Sequence, residues 1–459
     1  MESNDIAVPI RADGLQRRFG LRSTIAAVAG EMIAVGIFLT PAGMAKSLGS
    51  PLWLLLVWIV VGAMTLSGAL CFGELAGRFP RTGGIYVYLQ EAYGRRIAFL
   101  YGWMCLLVLD PGISAALATG IAGYAAYIFH WPPLMIKGAA VALIAALCGL
   151  NIVSIRLSAG FMRWLTWLKF GVLGLLVFWA VALRLGSWSN FVPFVAPHSG
   201  SLPLAQGLAV AMIGAFFSYG GWWDVSKIAG EIRDPGRTLP RAMLWGVLAV
   251  TAVYIFISTV FLYLVPLEKV TSGETFVAQA GAVLFGPAGG TTFAAIVVLC
   301  VLGSLATFMM LAPRVYYAMA EDGLFLKAVA RLHPKFKTPV TAIVIQGAIA
   351  SSLILAGNFQ QIIAYFFFTT LVFLGMAVAG LFIFRHRRLE SELIVLTPAY
   401  PATPLAFLLL VALILVLVAI QNPRETLFGT TIVLLGLPVY GIFQRKRMDR
   451  TDVRPVRAA

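Results

Sequence analysis

This sequence predicts an all-α polytopic membrane fold, with twelve transmembrane helices of which the first and sixth are discontinuous. Three observations predict it. Of 459 residues, 60% are apolar and only 12% charged. The apolar residues gather into runs long enough to span roughly 30 Å of hydrocarbon, which takes about 20 residues of helix. Two of those runs are interrupted mid-span by glycine beside a carboxylate, at Glu31 and Asp224.

The composition excludes several classes at once. Ordinary soluble domains carry about 25% charged residues, and soluble cores stop growing at about 250–300 residues. The net charge of +15 sits in short clusters between apolar runs. That is the pattern of cytoplasmic membrane loops, so no nucleic-acid partner is expected. Cys71, Cys105, Cys148 and Cys300 lie within apolar runs without metal spacing. They read as small hydrophobes, and neither metal nor cofactor is expected. The polar N-terminus does not read as a signal peptide.

The spans are expected near 22–46, 51–76, 97–128, 133–154, 160–184, 203–230, 241–265, 288–320, 339–356, 360–384, 403–421 and 426–444. Lys and Arg orient them. With the N-terminus inside, the inner segments hold Arg11, Arg17, Arg18 and Arg22; Arg78, Arg81, Arg95 and Arg96; Arg156 and Arg163; and Arg233, Arg237 and Arg241. They also hold Lys327, Arg331, Lys335 and Lys337; Arg385, Arg387 and Arg388; and the basic tail from Arg445 to Arg457. The outer segments keep Lys46, Lys137, Arg184, Lys269 and Arg424. Both termini are therefore expected to be cytoplasmic. The longest inner loops lie near 77–96 and 320–338; the second alternates apolar and basic residues, compatible with a short helix on the inner membrane surface.

The two interruptions read as broken helices. Backbone groups freed inside hydrocarbon must be satisfied by protein or a wet cavity. Freed amides at a half-helix N-terminus attract anions, and freed carbonyls at a C-terminus attract cations, so such a break suits a zwitterion. The first lies in "AVAGEMIAVGIFLTP" (27–41), around Gly30, Gly36 and Pro41. The second lies in "AMIGAFFSYGGWWDVSKIAGEIRDP" (211–235), where Gly220 and Gly221 are flanked by Tyr219, Trp222 and Trp223. Their placement in spans one and six is that of two inverted repeats, spans 1–5 and 6–10. The chain then divides into a cytoplasmic N-terminal segment (1–21), the repeats (22–184 and 185–384), a loop with spans 11 and 12 (385–444) and a basic tail (445–459).

These residues resemble the amino acid–polyamine–organocation superfamily, in its L-amino-acid transporter branch. "GEMIAVGIFLTP" resembles that family's broken first helix, and "FGELAGRFPRTGGIYVYLQEAYG" (72–94) its second span and first inner loop. "AFFSYGGWWDVSKIAGEIRDPGRTLPRA" (215–242) is similar to its broken sixth helix, and "GSLATFMMLAPRVYYAMAEDG" (303–323) to its eighth. The resemblance implies a LeuT-like five-plus-five inverted repeat and alternating access. It implies that the substrate carboxylate meets the amides of Val35 and Gly36. The amine would meet carbonyls of Met32 or Ile33 and of Phe217, Ser218 or Gly220. Phe217 would close over the substrate, and Ala34, Ser218 and Gly220 would limit side-chain size. Two departures stand out: Ala34-Val35 replaces the family's usual Gly-Ser, and Glu31 replaces an uncharged residue.

Charged residues inside spans are expensive and usually functional. Lys169 matches a lysine of this branch's fifth helix, beside the broken first helix, where sodium-coupled relatives of the fold hold a cation. The resemblance therefore implies sodium independence; snorkelling to the inner face is the other reading. Glu31 has three readings: pairing with Lys169, contact with a cationic substrate, or proton exchange. Asp110 precedes Pro111 and could bond backbone freed by a proline kink, or lie on the pathway. Asp224 is expected to cap or line the inner half of span six, and Arg314 to snorkel or act at an inner gate.

An enzyme is disfavoured: His130, His198, His333 and His386 fall at span edges or loops, without an HExxH, P-loop or GxSxG pattern. A channel's repeated filter loops or charged rings are also missing. No cysteine lies in an outer loop, so an obligatory, covalently joined partner subunit is not expected. The expectation is a sodium-independent amino acid transporter of the plasma or inner membrane, working by exchange or facilitated diffusion, in contact with lipid and amino acid substrate. Neutral L-amino acids come first, and cationic substrates or proton coupling through Glu31 second.

Overall fold

The computed structural model describes residues 17–34, 36–153, 155–197, 201–267, 280–356, 359–387 and 395–451. Val35, Arg11, His198, Lys269, Arg388 and the basic side chains from Arg445 onward lie outside the described residues. The architecture is helical, with one isolated parallel bridge between Phe19 and Ile232.

The first half comprises α1 (Leu21–Met32), α2 (Gly36–Leu48), α3 (Pro51–Arg78), α4 (Ile85–Tyr93), α5 (Arg95–Met104), α6 (Asp110–Phe129), α7 (Pro133–Val153) and α8 (Ile155–Ala182). The second begins with α9 (Leu204–Tyr219), a 3₁₀ segment Asp224–Glu231 and α10 (Pro235–Leu264). It continues with α11 (Gly289–Leu311), α12 (Pro313–Glu321), α13 (Val340–Ala356) and α14 (Phe359–His386). Last come α15 (Ala402–Gln421), α16 (Pro423–Leu434) and α17 (Gly436–Thr451).

Among the described residues, ten helical stretches are long and apolar enough to cross a membrane, by length and composition. The expected first span falls outside that set because it is split into α1 and α2. The expected ninth, α13, is a 17-residue apolar helix. The peripheral helices show what solvent they are built for. Leu409 and Ile420 of α15 are 70% and 72% exposed, and Trp164 and Phe178 of α8 are 59% and 68% exposed. Helices apolar all round, with such side chains outermost, are stable where the surroundings are apolar too.

Three local features differ from the sequence expectation. The third span is not a uniform helix: α5 passes into α6 through a π turn, Cys105–Leu109. Pro111 lacks an N–H and its ring crowds the carbonyl four residues back, so the wider turn absorbs the misfit. The expected inner loop near 77–96 contains a helix, α4, whose Tyr86 and Tyr88 are fully buried. The 320–338 loop holds only a 3₁₀ turn, Lys327–Ala330, with Val329 buried.

The interior is organised around the broken helices. α1 packs among α8, α10 and α11, α2 packs on α9, and α3 lies along α10. At the arginine-rich end, the chain before α1 is strapped to the end of the 3₁₀ segment. Arg18 N donates to Glu231 O at 2.8 Å and Arg233 N to Phe19 O at 2.9 Å. Gly83 N, just before α4, donates to Lys227 O at 2.9 Å. α4 is tied onward by Tyr86, whose hydroxyl donates to Asp322 Oδ2 at 2.9 Å. Burial, then the Asp322 carboxylate, push that phenol above its ordinary range, so it stays a donor at physiological pH.

Candidate functional site

The first break begins where α1 ends. Ile33 leaves the helix (φ −76°, ψ 77°), and Ala34 N donates to Met32 O at 2.8 Å, closing a three-residue turn. Carbonyls left without helical partners carry the partial negative charge of the helix C-terminus. Lys169 of α8 meets it. Its Nζ donates to Gly30 O at 2.9 Å and Ile33 O at 2.8 Å, and touches Ser304 Oγ at 2.7 Å. Ser304 itself lies 2.7 Å from both carbonyl oxygens. Lys169 is fully buried, which overturns the snorkelling reading. The Glu31–Lys169 pair is not formed either, because the freed carbonyls lie directly against the ammonium and take its protons.

The second break follows α9. Gly221 adopts φ +102°, a left-handed conformation that side-chain-bearing residues avoid. It also passes close to the first break: a Cβ there would stand 2.9 Å from Glu31 Cβ. Gly36 completes the crossing, since a Cβ on it would lie 2.7 Å from Ser218 Cα. Two glycines, one on each interrupted stretch, thus let the two backbones cross nearly in contact. Thr40 and Ser218 share a hydrogen bond of 2.7 Å across the same junction. Tyr254 of α10 joins the breaks from behind. Its hydroxyl lies 2.5 Å from Met32 O and 2.7 Å from Ser218 O.

A Tyr254→Phe substitution should therefore cost about 1–3 kcal/mol, the penalty for leaving buried carbonyls without a donor. Thermal unfolding of the purified protein in detergent measures it, and an unchanged midpoint would count against Tyr254 as the clasp.

Beside the crossing lies a partly open cavity. Of the residues singled out in the sequence, Glu31, Met32, Ala34, Gly36, Phe217, Ser218, Gly220 and Asp224 line it. Ile33 and Tyr219 do not: Ile33 is fully buried, and Tyr219 turns its hydroxyl to Trp58 O at 3.0 Å. Lys169 and Asp110 sit behind the wall rather than on it. The far wall comes from elements that carry no interruption in the sequence. Leu109, Ile113 and Leu117 come from the π turn and α6, Phe308 from α11, and Phe367 and Thr370 from α14. Nothing in the sequence singles these out from other core residues.

Next to the cavity is a buried charge cluster whose central member sequence reasoning missed. Lys227 Nζ donates to Asp110 Oδ1 at 3.0 Å and lies 2.8 Å from Asp224 Oδ1. The second contact is an ion pair without hydrogen-bond alignment. Tyr316 donates to Asp110 Oδ2 at 2.8 Å. Asp110 is thus an ion-pair partner, not the backbone ligand its neighbour Pro111 suggested. The one available signal was the i, i+3 spacing of Asp224 and Lys227. Arg314 is likewise buried rather than snorkelling, with Nε donating to Glu231 Oε1 at 2.9 Å. Glu31 differs from all of these. It is 6% exposed, its Oε1 has no hydrogen-bond partner among the described residues, and it forms none of the ion pairs that hold the other carboxylates.

Comparison with known proteins gives this arrangement a context. A family model described as amino acid permease matches residues 19–442. The serine/threonine exchanger SteT of Bacillus subtilis is 31% identical over 438 residues, covering 95% of this chain and 98% of the relative. Human b(0,+)-type amino acid transporter 1 is 28% identical over 442 residues, covering 94% and 89%. Human large neutral amino acids transporter small subunit 2 is 28% identical over 445 residues, covering 93% and 80%. With its apolar helices, two crossing breaks and matching length, the chain belongs to the amino acid permease family of the amino acid–polyamine–organocation superfamily, and is a multi-pass membrane transporter, not an enzyme.

Proposed function

We propose that this protein is a sodium-independent secondary transporter that carries neutral L-amino acids by alternating access. The reading includes twelve crossings, a five-plus-five inverted repeat over 22–184 and 185–384, and both termini on the cytoplasmic side of the cell membrane. The observation that carries it is the contact of Lys169 with Gly30 O and Ile33 O at the first break. A fixed ammonium there supplies the positive charge that a bound sodium ion would otherwise bring to freed carbonyls. The crossing at Gly36 and Ser218 supports a receptor made of main chain, and the cavity's leucine, isoleucine and phenylalanine wall suits an uncharged side chain. Mechanically, spans 1, 2, 6 and 7 would rock against spans 3, 4, 8 and 9, exposing the cavity to one side and then the other. The four buried cysteines suit a chain that needs no disulfide-linked partner.

A second reading, transport of cationic amino acids or coupling to protons, is favoured by one observation: Glu31 and Asp224 both line the cavity. Liposome uptake of the twenty amino acids separates the two. Neutral amino acids should enter saturably, at the same rate in sodium or choline buffer, and exchange is distinguished from facilitated diffusion by acceleration from internal substrate. A sodium requirement, or failure to recognise any amino acid, would overturn the proposal. A dependence on the pH gradient, or preference for lysine and arginine, would select the second reading.

A further inference from the structure

Four of the carbonyl oxygens at the crossing already face protein donors. Gly30 O and Ile33 O face Lys169 and Ser304, and Met32 O and Ser218 O flank the Tyr254 hydroxyl. Met32 O also accepts from Ala34 N. Of the two carboxylates on the cavity wall, Asp224 is ion-paired with Lys227, whereas Glu31 is nine-tenths buried with Oε1 unpartnered among the described residues. Charge counting points the same way. Glu31, Asp110 and Asp224 are buried against two ammonium groups, Lys227 and Lys169, and Glu231 is matched by Arg314. One negative charge is left over among three carboxylates, two of which, Glu31 and Asp224, face the cavity. A buried carboxylate without a cation is costly, and either a proton or a ligand that brings a positive charge removes that cost.

We propose that the Glu31 carboxylate is a ligand for the substrate ammonium, so that the site prefers an apolar-bodied ammonium compound of net charge +1 over the corresponding zwitterion. This rests on the cavity being the transport site and goes beyond the proposed function, because it makes the neutral amino acid the weaker of two ligand classes. A zwitterion brings no net charge to the surplus carboxylate, and it adds a second carboxylate to the same low-dielectric cavity. An amino acid amide or a primary amine brings the missing charge alone. Its body would fit against Ile113, Leu117, Phe216, Phe308 and Phe367, which offer no polar side chain.

The test uses four compounds that share one apolar body: leucine, leucinamide, 3-methylbutylamine and 4-methylpentanoate. Binding is measured by calorimetry on the full chain in nanodiscs at neutral pH, and uptake in liposomes. Leucinamide and 3-methylbutylamine should bind at least about tenfold more tightly than leucine, the gain expected from removing one carboxylate that Glu31 repels. The acid lacking an amine should not bind. Glu31→Gln, which keeps the shape, should erase the preference of amine over zwitterion while changing leucine binding less, and Glu31→Asp should fall between. Leucine binding as tightly as the amines, or Glu31→Gln keeping the preference, overturns this inference. Leucine carried while both amines are ignored removes it and leaves the proposed function standing. If none of the four binds and no amino acid is taken up, both fail.

Discussion

Replacing Lys227 with alanine should leave little folded protein. Its ammonium is the shared partner of Asp110 and Asp224, and all three side chains are at most 2% exposed. Deleting one member of a buried ion pair costs about 3–5 kcal/mol, because the remaining charge has no solvent to turn to. Here two carboxylates would be stranded, against a total stability of about 5–15 kcal/mol for a typical domain. The expected result is loss of the monodisperse species on size exclusion and a collapse of the thermal midpoint. The triple variant Lys227→Ala, Asp110→Asn, Asp224→Asn removes the stranded charges and should recover folding but not transport. A single Lys227→Ala variant as stable as the parent would mean the cluster is not holding α6 to the second break.

The second large effect is expected from a single methyl group at the crossing. Gly36→Ala places a Cβ 2.7 Å from Ser218 Cα, well inside van der Waals contact, and the obstacle is backbone rather than a movable side chain. Gly221→Ala adds to a similar clash with Glu31 Cβ a backbone at φ +102° that alanine resists. Overpacking of this kind costs about 1–3 kcal/mol when the surroundings can yield. The two broken segments would be driven apart where they form the cavity wall. Uptake should fall at least about tenfold for either variant, while each still purifies as a monodisperse protein, since the rest of the packing is untouched. Normal transport by Gly36→Ala would show that the close crossing is not needed for function. Gly43→Ala is the matched control: it lies on the same helix with open space around its Cβ, and should transport normally.

Much of the fold was legible because the membrane imposes a simple code. Span length, apolar runs and basic clusters each follow from moving backbone and charge into hydrocarbon. The breaks were legible for the same reason: Gly36 and Gly220-Gly221 interrupt runs that otherwise read as regular helix. The first falls between Met32 and Gly36, inside the stretch that Gly30, Gly36 and Pro41 marked, although Gly30 lies within α1 and Pro41 within α2. The partners of the charges were less legible. Glu31 and Lys169 lie on adjacent spans and invited pairing, yet α1 turns its freed carbonyls, not the Glu31 side chain, toward α8. Lys227 drew no notice among the aromatic and glycine signals around it, although it neutralises both nearby aspartates. Periodicity cannot say which of several helices a residue faces when every helix is apolar all round.

The sequence by itself therefore determined the solvent, the helical class, the location of both interruptions and the family, because each is written in local composition and spacing. Tertiary structure alone decided which atoms satisfy the interrupted backbone, which side chains close the cavity, and which carboxylate is left without a cation. Those outcomes depend on contacts between residues as distant as Gly30 and Ser304, or Asp110 and Lys227. The physical reason is that a buried charge takes whatever partner three-dimensional packing brings within about 3 Å, and distance along the chain does not enter that energy.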